Sequence, residues 1–70
     1  MISIHENAWA RYTVDPGRQT LWVNSKGLLG YFLAGHQLKK HWAGYDLQFV
    51  GPDYLNYMTR RVQNEQEARA

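Results

Sequence analysis

The chain contains no cysteine, which excludes disulfides, thiolate metal sites and cysteine nucleophiles. Small secreted domains usually depend on disulfides for their stability. In addition, no leader-like apolar run follows Met1. We therefore expect a cytoplasmic protein.

Long apolar runs are also missing. The longest apolar-rich stretch covers residues 28–34, and Gly30 interrupts it. Because a helix needs roughly 20 apolar residues to cross a bilayer, we expect no membrane-spanning segment and no membrane partner. With 70 residues the chain has room for one domain only.

Catalytic signatures are equally scarce. His36 and His41 are five residues apart, about 140° around a helix, whereas metal-binding pairs on a helix are spaced by three or four. No serine or threonine stands in a nucleophile motif, and the glycines at 27 and 30 lack the Lys-Ser/Thr ending of a phosphate-binding loop. We therefore expect that the protein is not an enzyme and that it binds no metal and no cofactor.

What the sequence does contain is two short runs of β-branched and aromatic residues, 9–14 and 20–23. Asp15-Pro16-Gly17-Arg18 lies between them and predicts a type II turn within a loop of four or five residues. We expect a β-hairpin over residues 8–23. The alternation Ile2-Ser3-Ile4 is compatible with an edge strand. Residues 45–50 alternate with Tyr45, Leu47 and Phe49 on one face, which predicts a later strand.

Residues 26–42 allow two structures. A helix over at least part of 28–42 is favoured, with Ser25 as its N-cap. It would place the cations His36, Lys39 and Lys40 on the side opposite an apolar stripe of Leu28, Tyr31, Phe32, Gly35, Leu38 and Trp42. The alternative is a third strand over 28–34 followed by a short helix, because three glycines cost about 1 kcal/mol each in a helix interior.

Gly51-Pro52-Asp53 predicts the start of a C-terminal helix. Its apolar face would consist of Tyr54, Leu55, Met58 and Val62. We expect one domain over residues 1–62 and a polar, frayed tail over 63–70. The predicted fold is a small α+β domain, with an antiparallel sheet of about three strands (hairpin plus a later strand), one or two helices on one face, and a C-terminal helix.

Aromatic side chains are abundant: three Trp, five Tyr and two Phe make up 14% of the chain. This exceeds what so small a core can hold, and Trp, Tyr and Arg dominate protein-binding hot spots. The candidate protein-binding residues are Trp9, Arg11, Trp22, Tyr57 and Arg61. We expect a small non-catalytic interaction protein, a regulator or inhibitor that docks on a larger protein or nucleoprotein assembly, as bacterial and phage accessory proteins do. A homodimer would be a further way to bury the surplus rings.

The cations support an alternative function, the binding of DNA or RNA. The formal net charge is only +2, less than a dedicated nucleic-acid binder usually carries. Basic patches with an aromatic edge nevertheless hold phosphates and stack bases. The candidate residues are His36, Lys39, Lys40, Trp42, Arg60 and Arg61.

Overall fold

The computed structural model describes residues 4–69, so Ile2 and Ser3 of the expected edge strand lie outside the described residues. The elements are β1 (Ile4–Glu6), β2 (Ala10–Asp15), β3 (Thr20–Ser25), α1 (Gly27–His41), β4 (Asp46–Phe49) and α2 (Pro52–Arg69). The four strands form one sheet in the order β1-β2-β3-β4. The α+β class and the C-terminal helix are confirmed.

The sheet is mixed, with four strands instead of the predicted three antiparallel ones. β1 and β3 each pair antiparallel with β2, whereas β4 pairs parallel with β3. The reason lies in the connection between β3 and β4. Helix α1 carries the chain back along the sheet, so β4 starts at the same end as β3 and runs in the same direction.

The hairpin between β2 and β3 is confirmed, and its loop has the expected length. Asp15 pairs with Thr20, which leaves residues 16–19 in the loop. The prediction of a type II turn was wrong, because the positive φ falls on Gln19 (49°) instead of on Gly17. The Gln19 N–H donates to the Pro16 carbonyl at 3.3 Å. Hairpin loops of four residues are most often built around a type I turn, and this one ends on a residue in the left-handed region.

The two helices cover opposite faces of the sheet, which corrects the prediction that they share one. Thr13 and Trp22 contact Thr59 and Tyr54 of α2, respectively. Neighbouring residues of a strand point to opposite faces. The other face of β2 and β3 packs against α1 in a cluster of Ala10, Tyr12, Val14, Leu21, Val23, Ala34 and Leu38. Because β2 is buried along almost its whole length, both of its faces need a cover.

The helix expected within residues 28–42 is confirmed, so the strand alternative for 28–34 was wrong. Its predicted cap was also wrong: Ser25 is the last residue of β3, and the N-cap position is Lys26, whose side chain makes no capping hydrogen bond to the helix. Lys39, Lys40 and His41 occupy the last turn, where positive charge complements the helix dipole.

The side of α1 that faces the sheet begins with two small residues. The buried positions are Gly30, Ala34 and Leu38, spaced by four. A Cβ placed on Gly30 would lie 2.5 Å from the backbone oxygen of Trp9, so no side chain fits there. Of the apolar stripe that we predicted for this helix, only Leu38 is fully buried. The close approach of the backbone to the sheet turns most of the large side chains of α1 towards solvent.

Helix α2 starts at Pro52 with Asp53 in its first turn, as predicted. It buries Leu55, Met58, Thr59 and Val62, whereas Tyr54 from the predicted face is 48% exposed. The segment for which the sequence predicts fraying is helical as far as Arg69. The Arg18 guanidinium in the hairpin loop donates to both carboxylate oxygens of Glu65, at 2.9 and 2.7 Å. These two hydrogen bonds join the last turns of α2 to the hairpin loop. Fraying of these turns in solution stays a prediction.

A buried polar contact joins β2 to α2. Thr13 and Thr59 are fully buried, and their hydroxyl oxygens lie 2.5 Å apart. The Thr59 hydroxyl donates to the carbonyl of Leu55 at 2.8 Å, which uses its single proton. Thr13 must therefore be the donor to Thr59.

Candidate binding surfaces

The outer side of α1 carries a large exposed apolar surface near its N-terminal end. Leu28 is 82% exposed, Leu29 64% and Phe32 69%. Tyr31 stands beside them and contacts Phe32 edge to face, with ring centroids 5.6 Å apart. We call these four residues the α1 patch. Contiguous exposed apolar surface is uncommon on monomeric proteins and marks sites of interaction.

The α1 patch continues into a groove between α1 and β4. The rings of Tyr31 and Phe49 lie 4.4 Å apart, and Gly35 leaves room beside Phe49. The volume of this groove is about 290 Å³, and its lining consists of Tyr31, Phe32, Gly35, His36, Lys39 and Phe49. We call it the β4 groove. Three aromatic rings give it an apolar floor, and two basic side chains stand at its rim.

A second groove lies along the opposite side of α1 and differs in character. Its volume is about 550 Å³, and its lining is Asn7, Tyr12, Gln37, Leu38, Lys40 and His41. Lys39 and Lys40 are adjacent in sequence but point to different grooves, because successive residues are about 100° apart around a helix. The predicted basic cluster of α1 is therefore divided between two surfaces.

The structure also separates the remaining candidate nucleic-acid residues. Trp42 is half-buried and packs against the core, with its ring 5.4 Å from that of Tyr45. Its indole N–H points at the Tyr12 hydroxyl, 3.4 Å away. Arg60 and Arg61 lie on α2, across the sheet from Lys39 and Lys40. The six residues therefore do not form one continuous surface.

The predicted protein-binding residues are partly brought together on the side of α2. The ring of Trp22 is 5.9 Å from that of Tyr54, which is 6.0 Å from that of Tyr57. The indole N–H of Trp22 donates to buried Asp15 at 3.2 Å, so Trp22 is fixed in place. We call the three rings the α2 cluster.

Arg61 follows Tyr57 by one helical turn and lies 3.6 Å from Glu65. Arg11 belongs to the same face of the sheet, since it alternates with Tyr12 along β2. Trp9 lies apart from these residues, because it packs half-buried against the core under α1. Four of the five predicted residues thus share one side of the protein.

Sequence reasoning missed Leu28, Leu29 and Phe32 as surface residues. Periodicity showed that α1 has an apolar stripe, and such a stripe normally faces the core. A second stripe was present in Gly30 and Ala34, which are four residues apart and small. That spacing was the available signal that the backbone of α1 approaches the sheet closely.

The pKa shifts lie away from the α1 patch and have structural causes. The hydrogen bond from Arg18 lowers the pKa of Glu65, and the hydrogen bond from Lys26 lowers that of Glu6. The bonds to Glu65 and Asp15 raise the pKa of Arg18. These shifts reflect ion pairs that join distant segments of the chain.

Within residues 4–69, no group of three or more metal-ligating side chains is placed to hold an ion. In the same part of the chain, neither helix has the length and apolar character that crossing a bilayer requires. No protein-family model matches the chain, and no curated protein or solved structure matches it either.

Proposed function

We propose that this protein is a non-catalytic binding module that docks on another protein through the α1 patch. The observation that supports the proposal is the exposure of Leu28, Leu29 and Phe32 on one helix. We further propose a regulatory or inhibitory role, in which the module acts by covering part of its partner.

The energy available from the patch sets the size of the interface. Burying one such side chain fully stabilises by about 1.5–3 kcal/mol, so covering the exposed parts of Leu28, Leu29 and Phe32 would supply on the order of 3–6 kcal/mol. Association itself costs an estimated 4–15 kcal/mol in lost freedom of movement. Over most of that range, these three side chains alone do not offset the cost. We therefore expect the contact surface to extend beyond α1, and the β4 groove is the adjoining surface.

Site-specific photo-crosslinking in the native cell tests this proposal. The photoreactive amino acid p-benzoylphenylalanine would replace Phe32 in the α1 patch, Tyr57 in the α2 cluster, or exposed Asn56 as a matched control. We expect one discrete protein adduct from position 32 that is absent from position 56. The same adduct should disappear when Leu28→Asp is combined with the probe.

Other adducts would be read as follows. A discrete adduct from position 57 alone would assign docking to the α2 cluster and overturn the role of the α1 patch. An adduct with twice the mass of the chain would identify a homodimer instead of a foreign partner. No adduct from either position, with the protein folded, would refute the proposal.

Nucleic-acid binding is the second candidate, and one observation favours it. His36 and Lys39 stand next to the exposed rings of Tyr31 and Phe32, so phosphates and bases could be held together there. The test is fluorescence anisotropy with labelled random single-stranded and duplex oligonucleotides at low and moderate salt. Micromolar binding that weakens steeply with salt, and weakens further in Lys39→Glu, would support this function. No binding at low salt would refute it.

A further inference from the structure

β4 forms one edge of the sheet, and its free side has a defined set of hydrogen-bonding groups. The N–H groups of Asp46 and Val50 donate to carbonyls of Gln19 and Val23, each at 2.8 Å. Along a strand, backbone groups alternate in direction, so residues 46, 48 and 50 bond towards β3. The N–H and C=O groups of Leu47 and Phe49 therefore point away from β3. They form the ladder on which an extended chain would add a strand.

The β4 groove lies on the α1 side of this edge. The side chain of Phe49 packs towards α1, against Tyr31 and Gly35. In an added strand, every second side chain would point to the same side. One of those side chains would reach the part of the apolar floor that Tyr31 and Phe49 form beside Gly35. The edge supplies affinity through main-chain bonds, and the groove supplies specificity.

The charge of the groove specifies a second feature of the ligand. Its basic lining residues are His36 and Lys39, and no carboxylate from residues 4–69 belongs to the lining. Within the described residues, the ion pairs formed by lysine or arginine involve Lys26, Arg18 and Arg61, so Lys39 is free to pair with a ligand. An acidic side chain two residues from the apolar one would lie on the same side of the added strand, about 6.7 Å further along.

We infer that the protein binds an extended segment of a partner protein, which adds to β4 as a fifth strand and places an apolar residue and an acidic residue, two positions apart, in the β4 groove. This inference rests on the proposed function and names the kind of partner. The apolar residue contacts Tyr31 and Phe49, and the acidic residue pairs with Lys39.

A second copy of the chain fits this site less well. Its own β4 would present Leu47 and Phe49 on the α1 side and Asp46 on the opposite side, because neighbouring residues alternate. The copy would supply apolar contacts but no carboxylate for Lys39. Two grooves with basic rims would also face each other across the pairing. Charge complementarity therefore favours a foreign acidic segment.

Selection from a phage-displayed library of random linear octapeptides against the intact protein tests the inference. We expect enriched sequences with an apolar residue and Asp or Glu two positions away. A peptide made from the enriched sequence should shift the NMR amide signals of Leu47 and Phe49. N-methylation of the peptide at residues whose N–H faces β4 should abolish binding, whereas N-methylation at the alternate residues should not.

Matched protein variants check the acidic contact. Lys39→Glu should weaken binding of the enriched peptide about three- to tenfold, because reversal of a rim charge replaces attraction by repulsion. Lys40→Glu makes the same charge change one residue away, in the other groove, and should leave affinity within about twofold.

Three results would overturn strand addition to β4. They are enrichment without the acidic residue, no enrichment at all, and equal effects of Lys39→Glu and Lys40→Glu. If a photo-crosslink from position 32 persists in any of these cases, docking through the α1 patch stands and only the strand addition fails. If the crosslink is also absent, both proposals fail.

Discussion

Two glycines of α1 should respond in opposite ways to the same substitution. At Gly30, an added Cβ would lie 2.5 Å from the backbone oxygen of Trp9. That oxygen also accepts the N–H of Lys26 at 2.8 Å, the bond that ties the start of α1 to the sheet. At Gly35, the nearest atom is Cζ of Phe49 at 3.7 Å, an ordinary contact distance.

The expected magnitudes follow from these distances. Alanine is favoured over glycine in a helix interior by about 1 kcal/mol, and this gain applies at both positions. In Gly30→Ala it is opposed by overpacking, about 1–3 kcal/mol, and by strain on the Trp9–Lys26 bond, about 0.5–1.5 kcal/mol. We therefore expect Gly30→Ala to lower the free energy of unfolding by about 0.5–3.5 kcal/mol. Gly35→Ala should raise it by about 0.5–1 kcal/mol.

Urea unfolding followed by tryptophan fluorescence measures both changes, and each 1 kcal/mol also corresponds to about 4–8 °C in Tm for a domain of this size. Gly35→Ala is the control, since it makes the same chemical change in the same helix. If Gly30→Ala were as stable as the unchanged protein, or if both variants shifted stability in the same direction, the close contact between α1 and the sheet would be refuted.

Three further predictions concern the sheet, the loop and the end of α2. Thr59→Val should destabilise the protein by about 1–3 kcal/mol, because it leaves the buried Thr13 hydroxyl without its acceptor. Adding Thr13→Val should recover part of the loss. Thermal melts of the two single variants and the double variant would contradict this prediction if the two effects simply added. Gln19→Gly should stabilise by about 0.5–1 kcal/mol, since Gln19 has a φ of 49° that glycine adopts without a steric penalty; an unchanged or lower urea midpoint would count against that loop conformation. Because Arg18 lowers the pKa of Glu65, this carboxylate stabilises the fold above the ordinary pKa of 4.5, and the contribution is lost as the pH falls through the lower folded-state pKa. Urea midpoints between pH 2 and 6 should therefore vary less with pH in Glu65→Gln than in the unchanged protein, and identical profiles would show that the pair contributes nothing.

The candidate site illustrates how far sequence reasoning reached. Tyr57 and Arg61 were correctly placed one turn apart on a helix, because that spacing is a local property. The grouping of Lys39 and Lys40 with Arg60 and Arg61 had no such basis. It required knowledge of which helix covers which face of the sheet, and the two helices lie on opposite faces.

The sequence by itself determined the elements whose signals are local. The β-branched runs on either side of Pro16 and Gly17 produce the hairpin, and Pro52 starts the C-terminal helix. These features depend on backbone preferences within a few residues, which the chain carries wherever it lies.

Tertiary structure alone decided the parallel pairing of β4 and the orientation of α1. The pairing joins residues more than 20 positions apart, and neither strand contains a signal for its direction. Helix α1 has two stripes that could face the core, one of large apolar side chains and one of small residues. The side chains of β2 and β3 already fill the space beneath it, so the small stripe of Gly30 and Ala34 fits against the sheet. Close packing therefore leaves Leu28 and Phe32 on the surface.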